Sequence, residues 1–261
     1  MKPVDEIFIG AFRAHKQAGT LYHHDSAKAH ELFQISLISA VLEGVYDGDI
    51  TYGELAAHGN FGIGTFNALD GEMIAVDGKF YQIKSDGKVN PVDPSMKTPF
   101  ACVLFFDPTV EFALDDLTDF SRFGAALDRA VPTKNLFYAL RVDGHFEYVK
   151  VRVVPRQEKP YRPMIEVVKE QPVFEFHDVR GTLLGFRFPD YTQGINVPGY
   201  HLHFIDEKRE SGGHVLDLRM RGVTVRIDIT PDLHMEVPER DDFGSADLGK
   251  DNTESIRRTE K

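Results

Sequence analysis

Two histidines with one residue between them open the functional reading of this chain. His201-Leu202-His203 lies in the run Gly199-Tyr200-His201-Leu202-His203-Phe204-Ile205. Strand residues two apart share a face, so both imidazoles project together and Leu202 is left for the other side. After ten intervening residues comes His214, behind the loop Asp206 to Gly213 and at the start of Val215-Leu216-Asp217-Leu218. A hairpin folding back over that loop would set His214 beside His203. Three neutral nitrogen donors with an open coordination position describe a catalytic zinc site. The bland alternative is a pair of half-exposed polar residues on an alternating strand. His23-His24 is weaker, because adjacent strand residues face opposite ways, and it reads as surface or local hydrogen bonding.

Other residues could take part in chemistry around such a metal. Arg152 shares a strand face with Lys150 and two aromatics, Phe146 and Tyr148, and a guanidinium there could clamp a carboxylate with two parallel hydrogen bonds. A solvated edge face is the competing reading. Glu72 follows a hairpin turn and starts an apolar strand, where a carboxylate could donate or accept a proton, or simply face solvent at a strand end. Thr65 carries no signal of its own.

Composition narrows the options. The 261 residues, 42% hydrophobic and 27% charged, suit an ordinary globular protein of one large or two modest domains. With 41 acidic against 30 basic residues the formal charge is −11, which argues against nucleic-acid and anionic-membrane partners. Any anionic ligand must therefore be gathered by a local cation. Cys102 is the single cysteine, so a metal would need some of the 11 histidines, or carboxylates, as ligands. No basic stretch with a long apolar region behind it follows Met1, and no run approaches a membrane span, so a cytoplasmic protein is the default expectation.

The elements that must position these residues are mostly strands. Leu32 to Tyr46 fits either period and is assigned to helix, and Thr51-Tyr52-Gly53-Glu54 has the capping-box pattern of a short helix. From Gly62 to Val89, short strands alternate with turns, including Asp77-Gly78. Phe100 to Phe106 reads as strand, and residues 111–131 contain the best helical spacing, stopped by Pro132. Leu136 to Val142 and Phe146 to Val154 read as a hairpin through Asp143-Gly144, with Val149, Val151 and Val153 on the face opposite Arg152. The charged, proline-rich loop Pro155 to Pro163 marks the expected domain boundary. Strands dominate beyond it, and Asp241 to Lys261 is a polar, helical tail. The expectation is an α+β, sheet-dominated fold of two domains. Residues 1–163 would form a mixed sheet with helices, and residues 164–261 a mainly antiparallel sheet carrying the metal histidines.

Three runs carry a resemblance to a known family. Gly62-Ile63-Gly64-Thr65-Phe66-Asn67-Ala68-Leu69-Asp70-Gly71-Glu72-Met73, Gly194-Ile195-Asn196-Val197-Pro198-Gly199-Tyr200-His201-Leu202-His203-Phe204 and Ser211-Gly212-Gly213-His214-Val215-Leu216-Asp217 closely resemble acetolactate decarboxylase. The likeness covers nearly the whole chain. It implies a zinc triad at His201, His203 and His214, active-site roles for Thr65, Glu72 and Arg152, and a further glutamate at Glu260, with Glu254 as the alternative. It also implies a homodimer acting on a small 2-hydroxy-3-oxo acid. Zinc would bind the hydroxyl and ketone oxygens of acetolactate and stabilise an enediolate as carbon dioxide leaves, and a glutamic acid would protonate it stereospecifically to acetoin. No organic cofactor is needed.

One rival enzyme reading takes Glu207, after three intervening residues, as the third ligand of a cupin-like motif, which would suggest an iron dioxygenase or isomerase. A closed structural metal site is the non-enzymatic rival, against which three ligands rather than four argue.

Overall fold

The computed structural model describes residues 30–260, apart from the side chain of residue 260. The readings of Ile7 to Phe12 and of His23-His24 fall outside the described residues. Two sheets face one another. The first contains β1 (Glu31–Ile35), β2 (Phe61–Thr65), β3 (Glu72–Val76), β4 (Lys79–Ile83), β5 (Val89–Pro91), β6 (Ala101–Leu104) and β13 (Asp232–Glu236). Its order is β13-β1-β6-β2-β3-β4-β5, mixed because β1 and β13 run parallel. The second is antiparallel and contains β7 (Val110–Leu114), β8 (Thr118–Asp119), β9 (Phe137–Arg152), β10 (Val173–Phe188), β11 (Gly199–Asp206) and β12 (Gly212–Thr230). Its order is β11-β10-β9-β12-β7, with β8 also on β12. The start of β12 returns to pair with β11, so the sheet curls into a closed ring of β9, β10, β11 and β12. Short helices are α1 (Ile38–Leu42), α2 (Tyr52–Leu55), α4 (Met164–Val167) and α5 (Asp241–Ser245); α3 (Phe120–Ala130) and α6 (Thr253–Glu260) are longer.

Alternation divides the strands between two cores. Tyr138, Leu140 and Val142 of β9 turn toward Phe123 and Leu127 of α3, whereas Phe137 and Ala139 turn toward Ile63 and Ile74 of the first sheet. In β11, Leu202 and Phe204 join the α3 core and Ile205 the inter-sheet core. His201 and His203, of the same parity as Ile205, therefore lie between the sheets. A third cluster on the outer face of the first sheet takes Tyr52 and Leu55 of α2.

Several elements are as the sequence leads one to expect. Thr51 and Glu54 form the complete capping box, and Asp77-Gly78 turns β3 into β4 with φ of 54° and 73°, the left-handed pair a type I′ turn requires.

Four expectations are corrected. Leu32 to Ile35 is strand, because it is sandwiched between β13 and β6 and buried on both faces, and only Ile38–Leu42 is helix. Residues 111–131 do contain a helix, but it begins only at Phe120, where Asp119 accepts the amide of Arg122, and β7 and β8 occupy the first part of that range. Asp143-Gly144 is no turn: β9 runs straight through it, and a Cβ on residue 144 would meet Val223 at 2.8 Å. That glycine lets β12 approach closely. Of the β9 valines, Val149 and Val151 face the α3 core as expected. Val153 turns to the inter-sheet core beyond the end of the strand, and Phe146 joins Val149 where an extra residue on β9 shifts the register with β12.

Candidate metal centre and active site

The expected hairpin forms, and His203 is the register partner of His214. His214 is also the partner of Arg152 on β9, so ring closure gathers groups from three strands. The three imidazoles offer nitrogen atoms all within 4.8 Å of one another, and all three side chains are buried. Nδ1 of His203 lies 3.0 Å from the carbonyl oxygen of Met73 on β3. A carbonyl can only accept, so Nδ1 carries the proton and Nε2 holds the lone pair. That Nε2 is buried without a hydrogen-bond partner, 3.6 Å from Glu72 Oε2. Such an oriented lone pair, backed by a carbonyl behind the ring, is how metal-binding histidines are held. Burial, and then the Arg152 charge, push His203 down to about 3. Burial first, with help from His203 and Arg152, holds His201 well below the usual range. Buried imidazoles converging in this way fit a metal ion, and the cluster could hold one.

Beside the cluster stands a buried ion pair. Arg152 Nη1 donates to Glu72 Oε1 at 2.8 Å, and Nη2 donates to the Thr259 carbonyl at 2.8 Å. Arg152 is therefore not on a solvated edge face. Both terminal nitrogens already have protein acceptors, so a substrate carboxylate would share the guanidinium with Glu72. Burial raises the pKa of Glu72, against the opposing pull of Arg152 and of the Val154 amide. The Val154 amide also meets Oε1, at 3.2 Å. Thr65 faces Glu72 across the β2–β3 ladder, and its hydroxyl donates to the Gly71 carbonyl at 2.7 Å, fixing the turn that leads into Glu72.

Thr65, Glu72, Arg152, His201 and His203 line one cavity of about 30 Å³. Its remaining wall is apolar and includes Ile38, Val41, Phe100 and Met164. Lys150 points away, half-exposed, to Glu175. Glu207 is on the surface with Arg180 at 3.6 Å, which removes it as a ligand and with it the cupin motif. Glu254 pairs with Arg257 and Arg258 on the exposed side of α6. The side chain of Glu260 lies outside the described residues. Sequence reasoning missed the Met73 and Thr259 carbonyls, since a main-chain acceptor has no residue-type signal. It also missed the apolar wall, whose residues read only as core.

Comparison with known proteins gives the same direction. The family described as "Alpha-acetolactate decarboxylase" matches residues 32–250. The alpha-acetolactate decarboxylase of Methylococcus capsulatus is 58% identical over 98% of this chain and 99% of its own length. That of Bacillus subtilis strain 168 is 46% identical over 88% of this chain and 91% of its own. A crystal structure of alpha-acetolactate decarboxylase from B. subtilis strain 168 superposes with a TM-score of 0.87 at 45% identity, covering 88% of this chain and 99% of that one. Sequence, fold and the full span of the match agree that the chain belongs to the alpha-acetolactate decarboxylase family.

Proposed function

We propose that this protein decarboxylates 2-acetolactate to acetoin and carbon dioxide, with zinc held by His201, His203 and His214. The observation that carries the reading is one cavity in which His201 and His203, two members of the buried three-histidine cluster, stand against a buried Glu72–Arg152 pair. When bound, zinc would supply Lewis-acid stabilisation of the enediolate charge that departure of carbon dioxide leaves on the substrate.

The protein's own groups supply the rest. Arg152 is the buried cation that draws a carboxylate into a molecule of net charge −11, and its planar fork orients that group. Glu72 is the proton donor. Oε1 accepts from Arg152 and from Val154, so Oε2 is the oxygen that carries the proton. Burial raises the pKa of Glu72, the direction a carboxyl proton donor requires. Delivery from one fixed side sets the configuration of the new carbon–hydrogen bond. The apolar wall excludes water and suits the small alkyl groups of the substrate.

The test is incubation of the purified, zinc-loaded protein with racemic acetolactate. Release of carbon dioxide with formation of one acetoin enantiomer is expected; absence of acetoin, or a racemic product, overturns the reading.

A further inference from the structure

The helix α6 reaches the site through its backbone. Thr253–Glu260 reads TESIRRTE, in which Ile256 is the single apolar side chain. Ile256 is buried in the inter-sheet core that also holds Met164 and Val167 of α4, the helix against which α6 packs. One turn further on, Thr259 is also buried and gives its carbonyl to Arg152 Nη2 at 2.8 Å. Outward, Glu254 pairs with Arg257 and Arg258. The approach to the helix is tied down at the surface, where Lys250 meets Glu43 and Gln193 meets Asp251.

A helix of eight residues is not stable alone in water, so its formation and its docking are one event. Its single apolar anchor is the obvious control point. We propose that α6 is a clasp for Arg152, in which Ile256 seats the helix and the seated helix presents the Thr259 carbonyl that holds the guanidinium toward the reacting carboxylate. Ile256 is thus a positioning residue, acting through Thr259 on Arg152 and touching neither substrate nor metal. The kinetic part of this inference rests on the decarboxylase reading above; the structural part does not.

The experiment compares Ile256→Ala, Ile256→Val and Ile256→Leu in the full chain. Three measurements are made on each: zinc content, hydrogen exchange of residues 252–260, and steady-state kinetics with acetolactate. For Ile256→Ala, wild-type zinc content is expected, with faster exchange confined to α6 and its flanks. Its kcat should fall by about 10- to 100-fold, the scale of a small misplacement of an orienting group. Ile256→Leu should restore both exchange protection and kcat, and Ile256→Val should fall between, which keeps the test alive if the alanine variant does not fold. Fast exchange in α6 with wild-type kcat would overturn the proposal, as would a loss of kcat that simply follows a loss of zinc. An inactive wild type would instead count against the decarboxylase reading, and the exchange data would still judge the anchor: unchanged protection of α6 in Ile256→Ala would overturn it.

Discussion

Arg152 Nη1 and Glu72 Oε1 meet at 2.8 Å across the gap between the two sheets, with both side chains buried. One contact therefore does two things. It joins β9 to β3, and it sets the acid that faces the histidine cluster.

The pair should show strong coupling in stability. Removing one partner of a buried ion pair typically costs about 3–5 kcal/mol, because the other charge is left uncompensated. Arg152→Gln and Glu72→Gln should each be clearly destabilising at neutral pH, and the double variant should lose at least about 1 kcal/mol less than their sum. Urea denaturation of the four proteins gives the cycle. Strict additivity would mean that the two groups do not interact energetically.

Arg152→Lys keeps the charge but cannot serve Glu72, the Thr259 carbonyl and a substrate carboxylate together. Its kcat/KM for acetolactate should drop by about 100-fold, a loss on the scale expected when a clamping group is misplaced. Turnover near wild type would show that the planar fork is unnecessary.

Thr65 lines the cavity and its hydroxyl holds the turn before Glu72. Thr65→Val removes the donor to the Gly71 carbonyl and should cost about 1 kcal/mol of stability. It should also lower kcat through a displaced Glu72, whereas Thr65→Ser should retain both. Equal behaviour of the two variants would remove the hydroxyl from the account.

Much of this site was legible because period-two alternation is unambiguous when the polar residues are histidines. His201 and His203 had to share a face, and the glycine-containing loop before His214 left a hairpin as the economical connection. Burial of Arg152 was not legible: parity put it opposite Val149 and Val151, but only the arrival of the first sheet decides that this face is interior. The same limit explains the misreadings. Asp143-Gly144 has turn chemistry, yet glycine also serves close strand approach, and the sequence does not distinguish them. Leu32 to Ile35 fits both periods, and only pairing with β6 and β13 selects strand. Over 111–131, Asp119 was the overlooked cap that marks the true helix start.

A pH effect is expected away from the site. His30 Nδ1 lies 2.5 Å from Oδ1 of the buried Asp228, with Asp107 beyond at 3.9 Å. The hydrogen bond to Asp228 raises His30 above its ordinary 6.5, against the opposing effect of burial. Burial likewise raises Asp228. A histidine held above its unfolded value stabilises the fold fully below that value, and the contribution fades as pH rises through the raised one. Thermal midpoints should therefore decline more steeply above pH 6.5 in the wild type than in His30→Gln. Parallel curves would show that this pair does not contribute.

The central claim is that the His201, His203 and His214 cluster holds the catalytic metal. Its direct measurement is metal content alongside acetoin formation, on one preparation taken through chelation, dialysis and stepwise zinc return, with His203→Ala carried in parallel. Activity should vanish with the metal, return in proportion to zinc bound up to one per chain, and never appear in His203→Ala. Full activity in metal-free protein, or a His203→Ala variant that turns over acetolactate without bound zinc, would contradict it.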